Sequence, residues 1–387
     1  SAGSVEDLPA AVGSVLALAA GLFGRLAATL GNLALSPYSV AVALGMTQNG
    51  AVGPTRQQLL DVLGAGDGSA LNKGLNALTA HVESLAGPQR RADGSDGSVT
   101  LAAANALFGQ QGLAFERPFL DTLAREYGAG MRTVDFVGDT EKARSAVNSW
   151  TAEQTRDRIE EIVPAGAVSA LTRLVLVNAV YLKADWEQPF DRSLTADAPF
   201  RLADGSRVQV PTMRPTHGPT VLGTGDGWQA TSLPYAGGAL AMTLVLPDDG
   251  RLADVESLMS TGGLPEVLGS LKAVQVDLRL PRWTMRSETA LGATLRALGL
   301  TLPFEPDADF SAMTRQEELA ISEIHHQTFV AVDEEGTEAA AATSVEMGVT
   351  SMPVLAPFVV DRPFLFVIHD VQHGTPLFLG RVVDPRG

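Results

Sequence analysis

Cysteine is missing from all 387 residues. That excludes a disulfide framework, a zinc–thiolate site and a thiol nucleophile, and it leaves both redox environments open. Lysine is scarce: Lys73, Lys142, Lys183 and Lys272 are the whole complement, and Arg90-Arg91 is the only adjacent basic pair. With a net charge of -16 and a pI near 4.8, the chain has no heparin-type or nucleic-acid patch and no long-range attraction to an anionic membrane. Uninterrupted apolar runs of membrane-spanning length are lacking too. The one stretch that comes near, 8–30, is broken by Arg25 and preceded by Glu6 and Asp7, where a signal peptide would be basic. Repeats, low-complexity tracts and Pro/Gly/Ser linkers are absent, so the reading is one domain over 1–387.

What is present is material for a large core, 45% hydrophobic against 19% charged. Val12, Val15, Leu16, Ala19, Leu22, Phe23, Leu26 and Leu30 fall at helical spacing, which predicts an N-terminal helix started by Asp7 and Pro9. Ser36 and Pro37 form an N-cap and first helical position for a helix over 40–48. Helices are also expected over 55–63, 115–127, 140–158, 254–271 and 289–298, with loops at 64–68 and 87–97. Strands are expected over 99–108, 132–136, 208–213, 228–234, 240–246, 274–281, 321–332, 364–369 and 377–383, and the apolar run 171–182 reads as a strand buried on both faces. Helices early and strands later, without βαβ alternation, predict an α+β chain. The abundant Ala, Gly and Arg point to a GC-rich bacterial genome.

One stretch resists a single assignment. Taking every second residue from Thr337 picks out Ala339, Ala341, Thr343, Val345, Met347 and Val349, all small, β-branched or apolar. The interleaved set, Glu338, Ala340, Ala342, Ser344, Glu346, Gly348 and Thr350, is polar or tiny. That is the pattern of a strand with one buried face. Yet an acidic turn, Asp333-Glu334-Glu335-Gly336, precedes it, and Pro353 and Pro357 follow, as in a loop. An ordinary strand or an alanine-rich helix over 338–343 also fits the local pattern.

Over about 16–385 the chain resembles the serpins. Asn32, Ser36, Pro37 and Ser39 are similar to the family's Asn-x-x-x-Ser-Pro-x-Ser signature, followed by Gly50, Ala51, Gly53 and Thr55. Asn148, Thr155, Arg158 and Ile159 resemble its long-helix motif. Asn178, Tyr181, Lys183, Trp186, Pro189 and Phe190 resemble its central strand and exit. Pro211-Thr212-Met213, Leu233-Pro234-Tyr235, Leu246-Pro247, Ala308-Asp309-Phe310-Ser311, Arg362-Pro363-Phe364 and the run Leu377 to Pro385 are similar to later landmarks. Glu334, Glu335, Gly336, Thr337, Glu338, Ala339, Ala340, Ala341 and Ala342 resemble the hinge of inhibitory members.

The resemblance implies the serpin fold, three β-sheets with about nine helices and an exposed reactive-centre loop over about 334–361. It implies a serine protease inhibitor and not an enzyme. A target protease cuts the loop, becomes acylated, and is trapped when the hinge end enters the central sheet, a strand addition that releases strain. Family spacing puts the reactive bond at Thr350–Ser351. Thr350 with Val349 before it suits an elastase-like or subtilisin-like enzyme, and Met347 a chymotrypsin-like one; no Lys or Arg between Glu334 and Asp361 serves a trypsin-like target. The resemblance also implies a shutter of Asn32, Ser36, Ser39, Asn178 and His326, and a breach of Trp186, Arg282 and Glu334. A hydrolase built on Ser36 and His326 is disfavoured, because no G-x-S-x-G elbow exists and both residues lie in apolar surroundings. No cofactor and no metal are expected. The partner is a target serine protease in a covalent complex, the chain otherwise a monomer, with no nucleic acid and no membrane; the expected place is extracellular. The alternative is a non-inhibitory carrier or chaperone of the same fold.

Overall fold

Three apolar runs form the centre of the molecule. Leu240–Pro247, Phe364–Asp370 and Pro376–Val382 are buried at every position. They are adjacent antiparallel strands of a seven-stranded core sheet that runs from Leu33–Leu35 to Lys272–Ala273. The computed structural model describes residues 3–337 and 355–387. Among them are nine α-helices and three sheets, in keeping with the expected α+β serpin architecture.

The large sheet positions the site. Its order is Trp283–Ala290, Glu323–Val332, Gly336–Thr337, Leu174–Asp185, Asp96–Gln110 and Gly87–Arg90, with Met131–Val134 paired to Asp96–Gln110. Leu174–Asp185 is buried at all but Lys183 and Asp185, as the apolar run predicts from Leu174 on, whereas Leu171 at the start of that run lies outside the strand and is exposed. The small sheet, Ala356–Val359, Val276–Pro281, Arg207–Met213 and Ala196–Arg201, receives the chain beyond the loop, with Ala356–Val359 parallel to Val276–Pro281.

Two helices follow their local signals closely. The N-terminal helix Leu8–Leu26 buries Val12, Val15, Ala19, Leu22 and Phe23 of the face its periodicity marks, together with Leu8, Ala11 and Leu18; Leu16 and Leu26 are only part-buried, and Leu30 lies beyond the helix and is exposed. By length and composition this helix is apolar enough to cross a bilayer, and half of the qualifying window is buried inside the fold. Pro37–Gln48 starts with Ser36 as N-cap, its hydroxyl accepting from the Ser39 amide, and is buried throughout.

Other elements depart from the sequence reading. Gly68–Ser84 is a helix capped by Asp67, where no element is predicted, and Gly87–Arg90 is a strand where a loop is expected. The expected helix 254–271 is two, Leu252–Ser260 and Leu264–Gly269, because Gly262 sits at φ +87° and turns the chain. The expected helix 140–158 ends at Gln154, after which Arg156 and Asp157 adopt left-handed φ of 54° and 60°. Trp283–Ala290 is an edge strand, so the following helix begins at Gly292 instead of Thr289.

Candidate functional site

The site lies where two strands of the large sheet separate. From Val175–Tyr181 and Glu323–Phe329 the strands Leu174–Asp185 and Glu323–Val332 pair directly, in parallel. Above that point Gly336–Thr337 stands between them, with Gly336 opposite Asp185, and Thr337 opposite both Ala184 and Val332. The reversal that returns the chain is built by Asp333, whose Oδ1 accepts the amides of Glu335 at 2.9 Å and Gly336 at 3.2 Å.

This changes the role of the hinge residues. Gly336 and Thr337 are expected as loop in the uncut chain; here both are buried strand. The φ of Gly336 is not positive, so no left-handed turn requires a glycine here. What it supplies is room: a Cβ there would lie 2.1 Å from the Ala184 carbonyl oxygen, so only glycine lets the backbones approach. Thr337 is fully buried and its Oγ1 lies 2.8 Å from the Tyr235 hydroxyl. The Tyr235 ring stacks on Trp186 at a centroid distance of 4.6 Å. Glu338, Ala339, Ala340, Ala341, Ala342, Thr350 and Ser351 lie outside the described residues.

Around the turn, the structure brings Trp186, Arg282 and Glu334 together. Trp186 Nε1 donates to the Asp333 carbonyl at 2.9 Å, and its backbone N–H to the Glu335 carbonyl at 2.7 Å. Arg282 Nε lies 2.9 Å from both oxygens of Glu334, and Thr195 Oγ1 donates to the same carboxylate. The Glu334 side chain is 1% exposed and that of Arg282 41%, so the pair is no ordinary surface contact. Burial works to raise the Glu334 pKa, and the bonds from Arg282 and Thr195 outweigh it, holding the carboxyl below its usual range. Glu335, also buried, is held by Arg192 at 2.9 Å. Neither Thr195 nor Arg192 carries any local signal of this role.

Lower in the sheet, Ser36, Ser39, Asn178 and His326 form a buried cluster, joined by Asn105, which the sequence reading missed. Ser39 Oγ donates to Asn105 Oδ1 at 2.8 Å, and Asn178 Nδ2 donates to Ser39 Oγ and to Asn105 Oδ1. A lone asparagine in the apolar run 99–108 was the available clue. The Ser36 backbone N–H donates to His326 Nε2 at 3.0 Å, so the ring is neutral with its proton on Nδ1, donated to Asn178 Oδ1. His326 therefore meets the Ser36 backbone and not its hydroxyl, which is not the nucleophile–base pairing a hydrolase needs. Asn32 is elsewhere. Its side chain bonds the Asp384 carbonyl and the amides of Val383 and Asp384, because Leu33–Leu35 runs beside Pro376–Val382 at the far edge of the core sheet.

Burial lowers the His326 pKa from 6.5 to about 4, against the opposing pull of its bond to Asn178. A histidine depressed on folding contributes stability that is complete above its unfolded pKa and is lost as pH falls toward the folded value. Between pH 6.5 and about 4 this amounts to roughly 3 kcal/mol. His326→Gln keeps an acceptor for Ser36 and a donor for Asn178 but cannot take a proton. Its thermal midpoint should fall less than wild type's as pH drops through that window; parallel curves would refute the assignment.

The serpin (serine protease inhibitor) family profile matches residues 14–385. The chain belongs to the serpin family. Serpin-ZXA of Oryza sativa subsp. japonica is 38% identical over 365 residues, covering 92% of this serpin and 90% of the relative. The leukocyte elastase inhibitor of Bos taurus is 34% identical, covering 92% and 93%. A solved structure of thyroxine-binding globulin with thyroxine superposes with a TM-score of 0.85 at 26% identity, covering 97% of this serpin and 99% of that chain.

Proposed function

We propose that this serpin inhibits a serine protease by the suicide route, with Thr350–Ser351 as the bond offered and an elastase-like, subtilisin-like or chymotrypsin-like enzyme as target. The target's serine attacks the Thr350 carbonyl, the amide to Ser351 breaks, and the new amine of Ser351 leaves with the proton. The segment beyond Thr337 then enters the large sheet before water releases the ester. One observation carries this reading: Gly336–Thr337 already occupies the gap between two strands that pair directly below it. Insertion only has to extend an existing strand pairing, one residue pair at a time, with Thr337, Ala339, Ala341, Thr343, Val345, Met347 and Val349 turned inward. The polar cluster at Asn178 and His326 lies beneath that path, where Glu323–Val332 and Leu174–Asp185 must part. The proposed setting is extracellular and the proposed state monomeric.

Incubation with elastase or subtilisin should yield a complex stable to denaturing electrophoresis and a released peptide beginning at Ser351, and incubation with chymotrypsin a complex and a peptide beginning at Gly348. If each enzyme cuts the loop and departs fully active, the inhibitory reading is overturned. The second reading, a carrier, would then take its place. A mostly apolar cavity of about 660 Å³, lined among others by Leu16, Val221, Pro265, Leu268 and Leu271, favours it.

A further inference from the structure

The chain between Phe364–Asp370 and Pro376–Val382 meets the last turns of helix Gly68–Ser84. His81 from the helix, Asp370 from the end of the strand and His373 from the turn converge there, one ligand atom of each within 4.8 Å of the others. His81 Nε2 is 3.3 Å from Asp370 Oδ1, and the two imidazoles meet edge to face with centroids 4.9 Å apart. Among the described residues it is the one such cluster.

We propose that His81, Asp370 and His373 bind a single divalent transition-metal ion of the zinc class. Two imidazole nitrogens and one carboxylate oxygen suit zinc, cobalt or nickel, whereas magnesium and calcium prefer all-oxygen sets. Metal–ligand bonds of roughly 2.0–2.2 Å place the donor atoms of a tetrahedral site about 3.3 Å apart. The His81–Asp370 pair is already at that spacing. The remaining spacings, within 4.8 Å, are what a rotation of the His373 side chain would have to shorten. His81 takes the tautomer with its proton on Nδ1, so the Nε2 lone pair faces the ion.

The carboxylate is pre-positioned. Asp370 is buried, its Oδ1 accepts the His373 amide at 2.8 Å, and its Oδ2 accepts the Thr375 amide at 2.9 Å. His81 and His373 are only part-buried, which leaves a route for the ion and a fourth position for water. His369 does not join. Its Nδ1 lies against the Asp370 carbonyl and its Nε2 against Thr243. No ligand spacing shows in the sequence, because His81 and Asp370 are 289 residues apart. The ion would tie the helix that runs into Gly87–Arg90, an edge of the large sheet, to the core sheet.

Tag-free chain, stripped with a chelator, is titrated with Co²⁺ alone. One ion per chain is expected, with visible d–d bands that Zn²⁺ abolishes. His81→Gln and His373→Gln should each weaken binding at least about ten-fold, with circular dichroism unchanged, whereas His217→Gln, on an exposed loop, should bind as wild type. Excess Zn²⁺ should raise the thermal midpoint of wild type and not of the two variants. Absence of the bands in wild type, or wild-type affinity in either His81→Gln or His373→Gln, would overturn the proposal.

Discussion

Under the proposed suicide mechanism, Thr337→Arg is expected to turn this serpin from an inhibitor into a substrate. Thr337 is fully buried between Ala184 and Val332, its hydroxyl against Tyr235, so a guanidinium at this position starts in a buried site. Burying that charge unpaired costs several kcal/mol. Two consequences follow. The hinge of the uncut chain leaves the sheet, since withdrawing Gly336–Thr337 breaks few strand pairs. After cleavage, the first inward position again resists, and every ~1.4 kcal/mol added to the insertion barrier gives hydrolysis about a tenfold advantage. The number of serpin molecules consumed per protease inactivated should rise at least about ten-fold, with little complex on denaturing gels and a normal circular dichroism spectrum. Inhibition at the wild-type stoichiometry would sink the insertion account. Thr337→Ser, which keeps the hydroxyl toward Tyr235, should behave as wild type.

Arg282→Ala is expected to destabilise the uncut serpin and loosen its hinge. Removing one partner of a buried pair costs about 3–5 kcal/mol; with the Arg282 side chain 41% exposed, about 2 kcal/mol is a fairer figure. Thr195 alone would then face the Glu334 carboxylate. The cheapest relief is for Glu334 to swing into solvent, drawing the turn at Asp333 and the inserted pair Gly336–Thr337 with it. A glutamate-specific protease should cut the variant after Glu334 or Glu335 much faster than wild type. The pH dependence separates this account from a general packing loss. In wild type the Glu334 pKa is depressed, so its contribution is present above the unfolded value of 4.5 and is lost as pH falls below it. The thermal midpoints of wild type and Arg282→Ala should differ by about 2–3 °C at pH 7 and converge below pH 4.5. A gap unchanged across that range would show that the Arg282–Glu334 charge pair is not its cause.

Much of the fold was legible residue by residue, because its signals are local. Ser36 and Pro37 announce a helix start through hydrogen bonding and a restricted φ, and the N-terminal helix shows its buried face in spacing alone. The failures were equally physical. Gly68–Ser84 contains two glycines and two asparagines, which locally weaken a helix and matter less once Leu71, Leu75, Leu78 and Val82 pack against the core. The break after Gln154 depends on left-handed residues that no glycine marks.

By itself the sequence determined the family motifs and the buried runs of the core sheet, since each rests on the order of side chains along one strand or turn. Tertiary structure alone decided which partners they meet. Asn105 joined the cluster at His326 and Asn32 left it, Thr195 and Arg192 came to the hinge glutamates, and Gly336 proved to be needed for closeness to Ala184. It also decided that Thr337 lies within the sheet before any cut, because that depends on the register of two strands that come from opposite halves of the chain.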